Sequence, residues 1–221
     1  MSQAPVQAPA QAIHWTGAAE HADGGLAEEL ARAEVYGLLA ELFYAPPRAD
    51  LFEQLRVAVT EAPSAGAFLE THWSALVGAA RRLSLQDIND EFVALFGGVG
   101  KPEVCVYGSF YLTGFLNQQP LAALRQDLLA LGLERPQAVL ETEDHIASVC
   151  EVMRYLIAGE DAGVSNLAGQ QRFFNAHLRA WAQGFCEALA QHPRADFYGA
   201  LAVFAQDFFA VEMQGFDLLE L

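Results

Sequence analysis

Basic residues are scarce in this chain. Twelve lysines and arginines stand against 28 aspartates and glutamates, a formal net charge of −16. A surface of that sign repels nucleic-acid phosphates and anionic lipid headgroups, and it attracts basic partners. The same acidity also serves simply to keep an apolar helical chain in solution. Cysteine is nearly absent. Cys105, Cys150 and Cys186 are odd in number, far apart and without C-x-x-C spacing. That argues against a disulfide framework or a zinc site and fits a reducing compartment. Long apolar runs are missing too: no segment offers the roughly 18 consecutive apolar residues of a membrane span. The opening stretch "MSQAPVQAPAQAIHWTG" has neither the positive charge nor the apolar centre of a secretory signal. A soluble, cytoplasmic protein is the expectation. Alternating polar and apolar segments are lacking as well, which leaves nothing that calls for a sheet, and no repeat of fixed period occurs.

What is present is helical. Hydrophobic residues make up 53% of the chain and charged residues 18%, so most of it is expected to fold. Residues 1–23 are rich in Ala, Pro and Gln and read as a flexible tail. Residues 24–221 read as one all-α domain, a single globular bundle of roughly eight to ten helices. The first helix, 26–44, ends at Pro46-Pro47 and is apolar nearly all round in its second half. Two more follow over 49–62 and 65–83, and a fourth over 85–96 that Gly97-Gly98 closes. The stretch 97–119 is irregular. Pro120 opens a helix that Gly132 ends. Another begins in "ETEDHIASVCEVMRYL" and runs to about Ala158, a link over 159–166 follows, and one long helix reaches His192. Asp196 is placed to cap the last.

The acid–histidine stretch raises the functional question. Continued backwards as a helix, it puts Glu141, Asp144, His145 and Ser148 on one face. Ile146, Val149, Met153, Leu156 and Ile157 fall on a neighbouring apolar face, with His145 at the border. The plain reading is a helix start: acids favoured by the dipole and Thr142 as N-cap. Catalysis is a poorer reading. There is no H-E-x-x-H, no G-x-S-x-G and no G-x-x-x-x-G-K-[ST], and "GGVGK" at 97–101 has neither the spacing nor a preceding strand. His177 is too distant in sequence to be placed beside His145. No enzymatic activity, no metal and no tightly bound cofactor are expected. "RRLSL" at 81–85 imitates a twin-arginine export signal, but it is internal and a polar stretch follows it. Arg81 and Arg82 read as a solvated helix end.

Two further stretches stand out. A helix end carrying Phe92 and Phe96 feeds a Gly-rich loop and then Tyr107, Phe110 and Tyr111. Such aromatics anchor cores, and they also line grooves for apolar peptides. In "FFNAHLRAWAQGFCEAL", Phe174, Leu178, Trp181, Phe185 and Leu189 form a core stripe, with His177 at its border.

These pieces, in order, carry a resemblance: F-x-x-L-F-x-G, Y-G-S-F-Y-L, L-R-x-x-L-x-x-x-G, E-x-E-D-H, H-L-x-x-W-x-x-x-F and F-Y-x-A-L. Over residues 26–215 the chain resembles the TorD/DmsD family of cytoplasmic redox-enzyme maturation chaperones, relatives of NarJ. The resemblance implies an all-helical fold and a non-enzymatic role. Its client would be a molybdopterin oxidoreductase, bound through a twin-arginine signal peptide or N-terminal segment while the molybdenum cofactor is inserted and before export. A NarJ-like assembly factor would instead serve a cytoplasmic-side formate dehydrogenase or nitrate reductase without binding a signal. The family's E-P-x-D-H motif corresponds to Glu141–His145, with Thr142 in place of the proline, and assigns client-peptide binding to Asp144 and His145. Glu141, Ser148, Tyr107, Ser109, Tyr111, Phe92, Phe96, His177 and Trp181 join them as candidates. The loop after Phe96 departs from the family, with Gly98-Val99 and Val104-Cys105 where G-P and P-P occur. Family members exchange helices, so a monomer or a helix-swapped dimer is implied, with 159–166 as the hinge. A basic, apolar peptide calls for carboxylates beside an apolar groove, gripped by charge-assisted bonds that weaken with salt.

Overall fold

Ten helices follow one another in a computed structural model that describes residues 24–60, 69–97, 101–159, 161 and 163–219. They are α1 (Gly24–Tyr44), α2 (Ala49–Val57), α3 (Glu70–Arg82), α4 (Leu85–Phe96) and α5 (Gly108–Thr113). After them come α6 (Gln119–Ala130), α7 (Ile146–Ala158), α8 (Leu167–His177), α9 (Ala182–Ala190) and α10 (Phe197–Asp217). Among the described residues there is no strand, only an isolated antiparallel bridge between Tyr107 and His145. The tail expected over 1–23 lies outside the described residues, as do Glu160 and Ala162 of the expected hinge.

Local chemistry sets most boundaries. Pro46-Pro47 follows the end of α1. Ser84 and Asp87 form a reciprocal capping box at the start of α4, and Gly97 ends it. Pro120 sits in the first turn of α6, and Gly132 just beyond its end takes a positive φ of 71°. Asn166 caps α8 by accepting from the Gly169 amide.

The centre is built by α1 lying along α7, and by α10 packing on α3, α4 and α9. Leu39, Leu42, Phe43, Met153, Leu156, Phe197 and Phe204 are fully enclosed. Phe174, Leu178, Trp181, Phe185 and Leu189 are all buried.

Four expectations need correction, the first being that the helix expected over 49–62 ends at Val57. The long helix to His192 is broken between His177 and Ala182. The break is held by the Trp181 indole, whose Nε1–H donates to the His177 carbonyl at 2.6 Å. A backbone acceptor at the end of α8 is thereby satisfied by a side chain instead of the next helical turn. The irregular stretch contains α5. At α10, Asp196 occupies the N-cap position but its carboxylate is held by Arg82. Glu91 of α4 does the capping instead, accepting from the amides of Asp196, Phe197 and Tyr198 at 2.9, 3.1 and 2.8 Å. Burial raises the Glu91 carboxyl above its ordinary range, partly offset by those three amides.

One polar cluster crosses the core. Arg32 of α1 grips Glu212 of α10 with two bonds, at 2.6 and 2.9 Å, and the Tyr36 hydroxyl donates to the same carboxylate at 3.0 Å. Glu212 is only 4% exposed. Removing one partner from a buried pair strands the other, whereas exposed pairs contribute little. Arg32→Met is therefore expected to lower stability in urea unfolding by roughly 3 kcal/mol. Arg56→Met, which breaks the exposed pair with Glu53, should change it by less than about 1 kcal/mol.

Candidate functional site

The acid–histidine segment is not the first turn of a helix. Helix α7 begins at Ile146, and His145 is its N-cap, its Nδ1 accepting from the Ala147 amide at 3.1 Å. The expected N-cap, Thr142, instead donates its hydroxyl to Asp144 Oδ1 at 2.7 Å. Glu141, Asp144, His145 and Ser148 therefore do not share a helical face, and the acids precede the α7 dipole without joining its first turn.

The segment is laced to a stretch 35 residues earlier. Asp144 Oδ2 accepts from the Ser109 amide and the Asp144 carbonyl from the Gly108 amide, both at 2.9 Å. The Ile146 amide donates to the Val106 carbonyl at 2.9 Å. Asp144 thus caps α5 from another part of the chain, satisfying amides that a six-residue helix cannot satisfy itself. The Tyr107 hydroxyl donates to Glu141, and burial together with that carboxylate pushes the phenol well above its ordinary pKa. Gly108 leaves room for a neighbour: a Cβ there would lie 2.8 Å from the Trp181 indole.

Asp144 and His145 are each 5% exposed. The His145 ring lies edge-on to Tyr107 and Tyr44, at 5.3 and 6.1 Å between centroids. Burial lowers its pKa to about 4, against the opposing pull of Glu141 and Asp144. It is a neutral cap in the folded protein, and its Nδ1 is the acceptor.

The other predicted residues lie in different places. Ser109 is buried beneath the same lacing. Tyr111 stacks on Trp181 at 5.9 Å and donates to the Cys105 carbonyl at 2.7 Å. Phe92 and Phe96 pack against Tyr198 of α10. His177 pairs with Asp127 of α6 at 2.6 Å. Of the predicted residues, Ser148 alone lines a groove beside this junction.

That groove, a cavity of about 740 Å³, opens between α1, the end of α6, the link 133–143 and the outer face of α7. Its apolar wall is made by Ala40, Tyr44, Leu133, Val139, Val152 and Tyr155. Glu41, Glu134, Glu143 and Glu151 line it too, with Arg135 and Arg154. Helix α7 contributes Ser148, Glu151, Val152 and Tyr155, spaced three and four apart on the face opposite Val149, Cys150 and Met153. The sequence signal for this face is the pair Val152 and Tyr155 among polar residues, which sequence reasoning passed over. Glu143 is fastened by Arg125 at 2.9 Å and Arg135 at 3.3 Å. Burial pushes its carboxyl up, but a hydrogen bond to its own amide and the two guanidiniums hold it below the ordinary range.

Carboxylates beside an apolar trough suit recognition of a basic, apolar segment. Among the described residues, no group of three or more His, Cys, Asp or Glu is placed to hold a metal ion. Among those residues, too, no helix is long and apolar enough to cross a membrane.

The fold is thus all-α, with a groove suited to binding. A family profile described as "Nitrate reductase delta subunit" matches residues 62–187. That is more than half of the chain, and the chain belongs to this family, the TorD/NarJ family that its motifs resemble. The chaperone protein TorD of the Classical Ogawa strain of Vibrio cholerae serotype O1 is 28% identical over 206 residues, covering 85% of this chain and 93% of the relative. Its counterpart in the El Tor Inaba strain is 29% identical over 209 residues, with the same coverage of both.

The His145 environment has a pH consequence. An unfolded histidine titrates near 6.5 and the folded one at about 4. As pH falls between those values the unfolded state takes the proton first, so stability falls. The loss should reach about 3 kcal/mol. His145→Asn keeps a capping acceptor and should flatten this part of the slope. Urea midpoints of both proteins, measured through that window, check it; parallel slopes would contradict the burial argument.

Proposed function

We propose that this protein is a maturation chaperone for a molybdopterin oxidoreductase. It binds a basic, apolar N-terminal segment of the client's catalytic subunit, of the twin-arginine signal kind, while the cofactor is inserted and before export. The observation that carries this reading is the groove: acids and an apolar wall side by side, with the segment 141–145 fastening one end of it. Family membership and the TorD relatives support the chaperone role. The groove supports the peptide class, because an arginine pairs bidentately with a carboxylate while the apolar run lies along Val152, Tyr155 and Leu133.

In this reading Asp144 and His145 act from below. Asp144 fixes the loop junction, and His145 fixes the first turn of α7 and supports Tyr44 at the groove wall. Glu141 and Tyr107 brace the same junction. The work is done in the cytoplasm, and the chain itself holds no cofactor.

A second reading follows from the family profile's own description, which names a nitrate reductase subunit. In it the protein assembles a cytoplasmic-side molybdoenzyme without reading an export signal. Affinity capture of the tagged protein from its native cytoplasm, with mass spectrometry of what co-purifies, separates the two. A molybdoenzyme subunit that is lost when its N-terminal segment is deleted supports the first. One retained after that deletion supports the second.

The groove itself is tested with a synthetic peptide that has an arginine pair ahead of an apolar run. Ser148→Arg places a cation and bulk on the groove wall and should weaken binding about tenfold or more, with the melting temperature little changed. Wild-type affinity should also fall as salt rises. Unchanged binding by Ser148→Arg would remove the groove from the proposal.

A further inference from the structure

Most of the groove carboxylates are already paired. Glu151 is held by Arg154, with Nε at 2.8 Å, Glu143 by Arg125 and Arg135, and Glu41 only loosely by Arg48 at 3.5 Å, its Oε1 making no hydrogen bond. An incoming cationic peptide therefore meets few vacant anions.

The pairs differ in how firmly they are held. Glu143 is 14% exposed and gripped by two guanidiniums. Arg154 and Glu151 are 46% and 51% exposed, a surface pair one turn apart on α7 that contributes little stability. The stem of Arg154 has a second role. Its Cδ lies 2.9 Å from where a Cβ would stand on Gly37, so the stem lies directly over the α1 wall at that glycine. Arg154 thus covers the α1 surface at Gly37 with its stem and a groove carboxylate with its head.

We infer that Arg154 is an internal stand-in for a client arginine. In the free protein it occupies Glu151 and the Gly37 wall. On binding it swings out, the client guanidinium takes over Glu151, and the apolar part of the client covers the wall that the Arg154 stem leaves. This rests on the groove being the peptide site. The exchange has a definite energetic signature. One arginine–carboxylate pair replaces another, so the client arginine contributes little to affinity in the wild type. A peptide without a cation leaves Arg154 on Glu151, so losing the client arginine costs little in the wild type and more where Arg154 is absent.

Arg154→Met keeps an unbranched stem over Gly37 and removes the competing charge. It is expected to bind the arginine-pair peptide about two- to fivefold tighter, the scale of one exposed ion pair. Fluorescence anisotropy with that peptide and with its Arg→Gln analogue, on both proteins, completes a double-mutant cycle. The Arg→Gln change should cost more affinity in Arg154→Met than in the wild type. Arg154→Lys, which keeps the charge but loses the fork, should fall between them. In a Glu151→Gln background the gain from Arg154→Met should vanish. If Glu151→Gln weakens binding but Arg154→Met leaves it unchanged or weaker, the exchange is overturned and the groove stands. If neither Glu151→Gln nor Ser148→Arg alters binding, the groove reading falls and takes this one with it.

Discussion

A single carboxylate ties the fold to its groove. Asp144 is enclosed, and both of its oxygens are used: one by the Thr142 hydroxyl, the other by the Ser109 amide. A buried carboxylate survives only if donors replace the water it has lost, and here they come from its own loop and from the start of α5. Because one donor lies 35 residues away, satisfying the charge also closes a chain loop. The backbone then completes the junction through Gly108 to Asp144 and Ile146 to Val106. Gly108 is pressed against Trp181 by this closure, and Trp181 in turn holds the break between α8 and α9. Three separate parts of the chain meet around one anion.

The geometry of the groove follows from that junction. Once Asp144 is fixed, His145 has one place to stand, at the N-cap of α7 and between Tyr44 and Tyr107. That sets the rotation of α7. Its core face presses Val149, Cys150 and Met153 inward, and Ser148, Glu151, Val152 and Tyr155 are left facing α1 and the link 133–143. Neutral histidine suits this position, since a charged ring would have no water and would lose the acceptor that caps the helix.

Much of this architecture was legible in the sequence where the cause is local. Pro46-Pro47, the Ser84–Asp87 box, Gly97 and Gly132 each act within a few residues, and the elements they bound came out where their chemistry puts them. The motif E-x-E-D-H marked the right segment for the wrong geometric reason. Read by periodicity it extends α7 backwards, because nothing local says that Asp144 has a partner at Ser109. The α8–α9 break was equally hidden, since neither Pro nor Gly stands at it and its stabilising donor is an indole. Glu91 capping α10 is the same kind of failure: Asp196 is the better local candidate, and a carboxylate 105 residues away wins. The groove was seen only as a need for acids beside apolar side chains. Its acids are Glu41, Glu134, Glu143 and Glu151, and of these only Glu143 lies within the motif, between the Glu141 and Asp144 that pattern reasoning selected.

The acid surplus and the groove act at different ranges. A formal charge of −16 produces a field that draws a basic segment toward any part of the surface. It cannot by itself choose the groove, because carboxylates are spread over the whole chain. Choice requires a place where cation and apolar surface are satisfied together, and only a wall that combines the two does so. Close range evens the balance, since Arg135 and Arg154 line the groove and Arg125 and Arg48 reach its carboxylates. A chain with only 12 basic residues has placed several of them there. Local pairing keeps the groove acids from repelling one another and from gripping any passing cation, so for the proposed peptide client the long-range field would set how often it arrives and the apolar fit how long it stays.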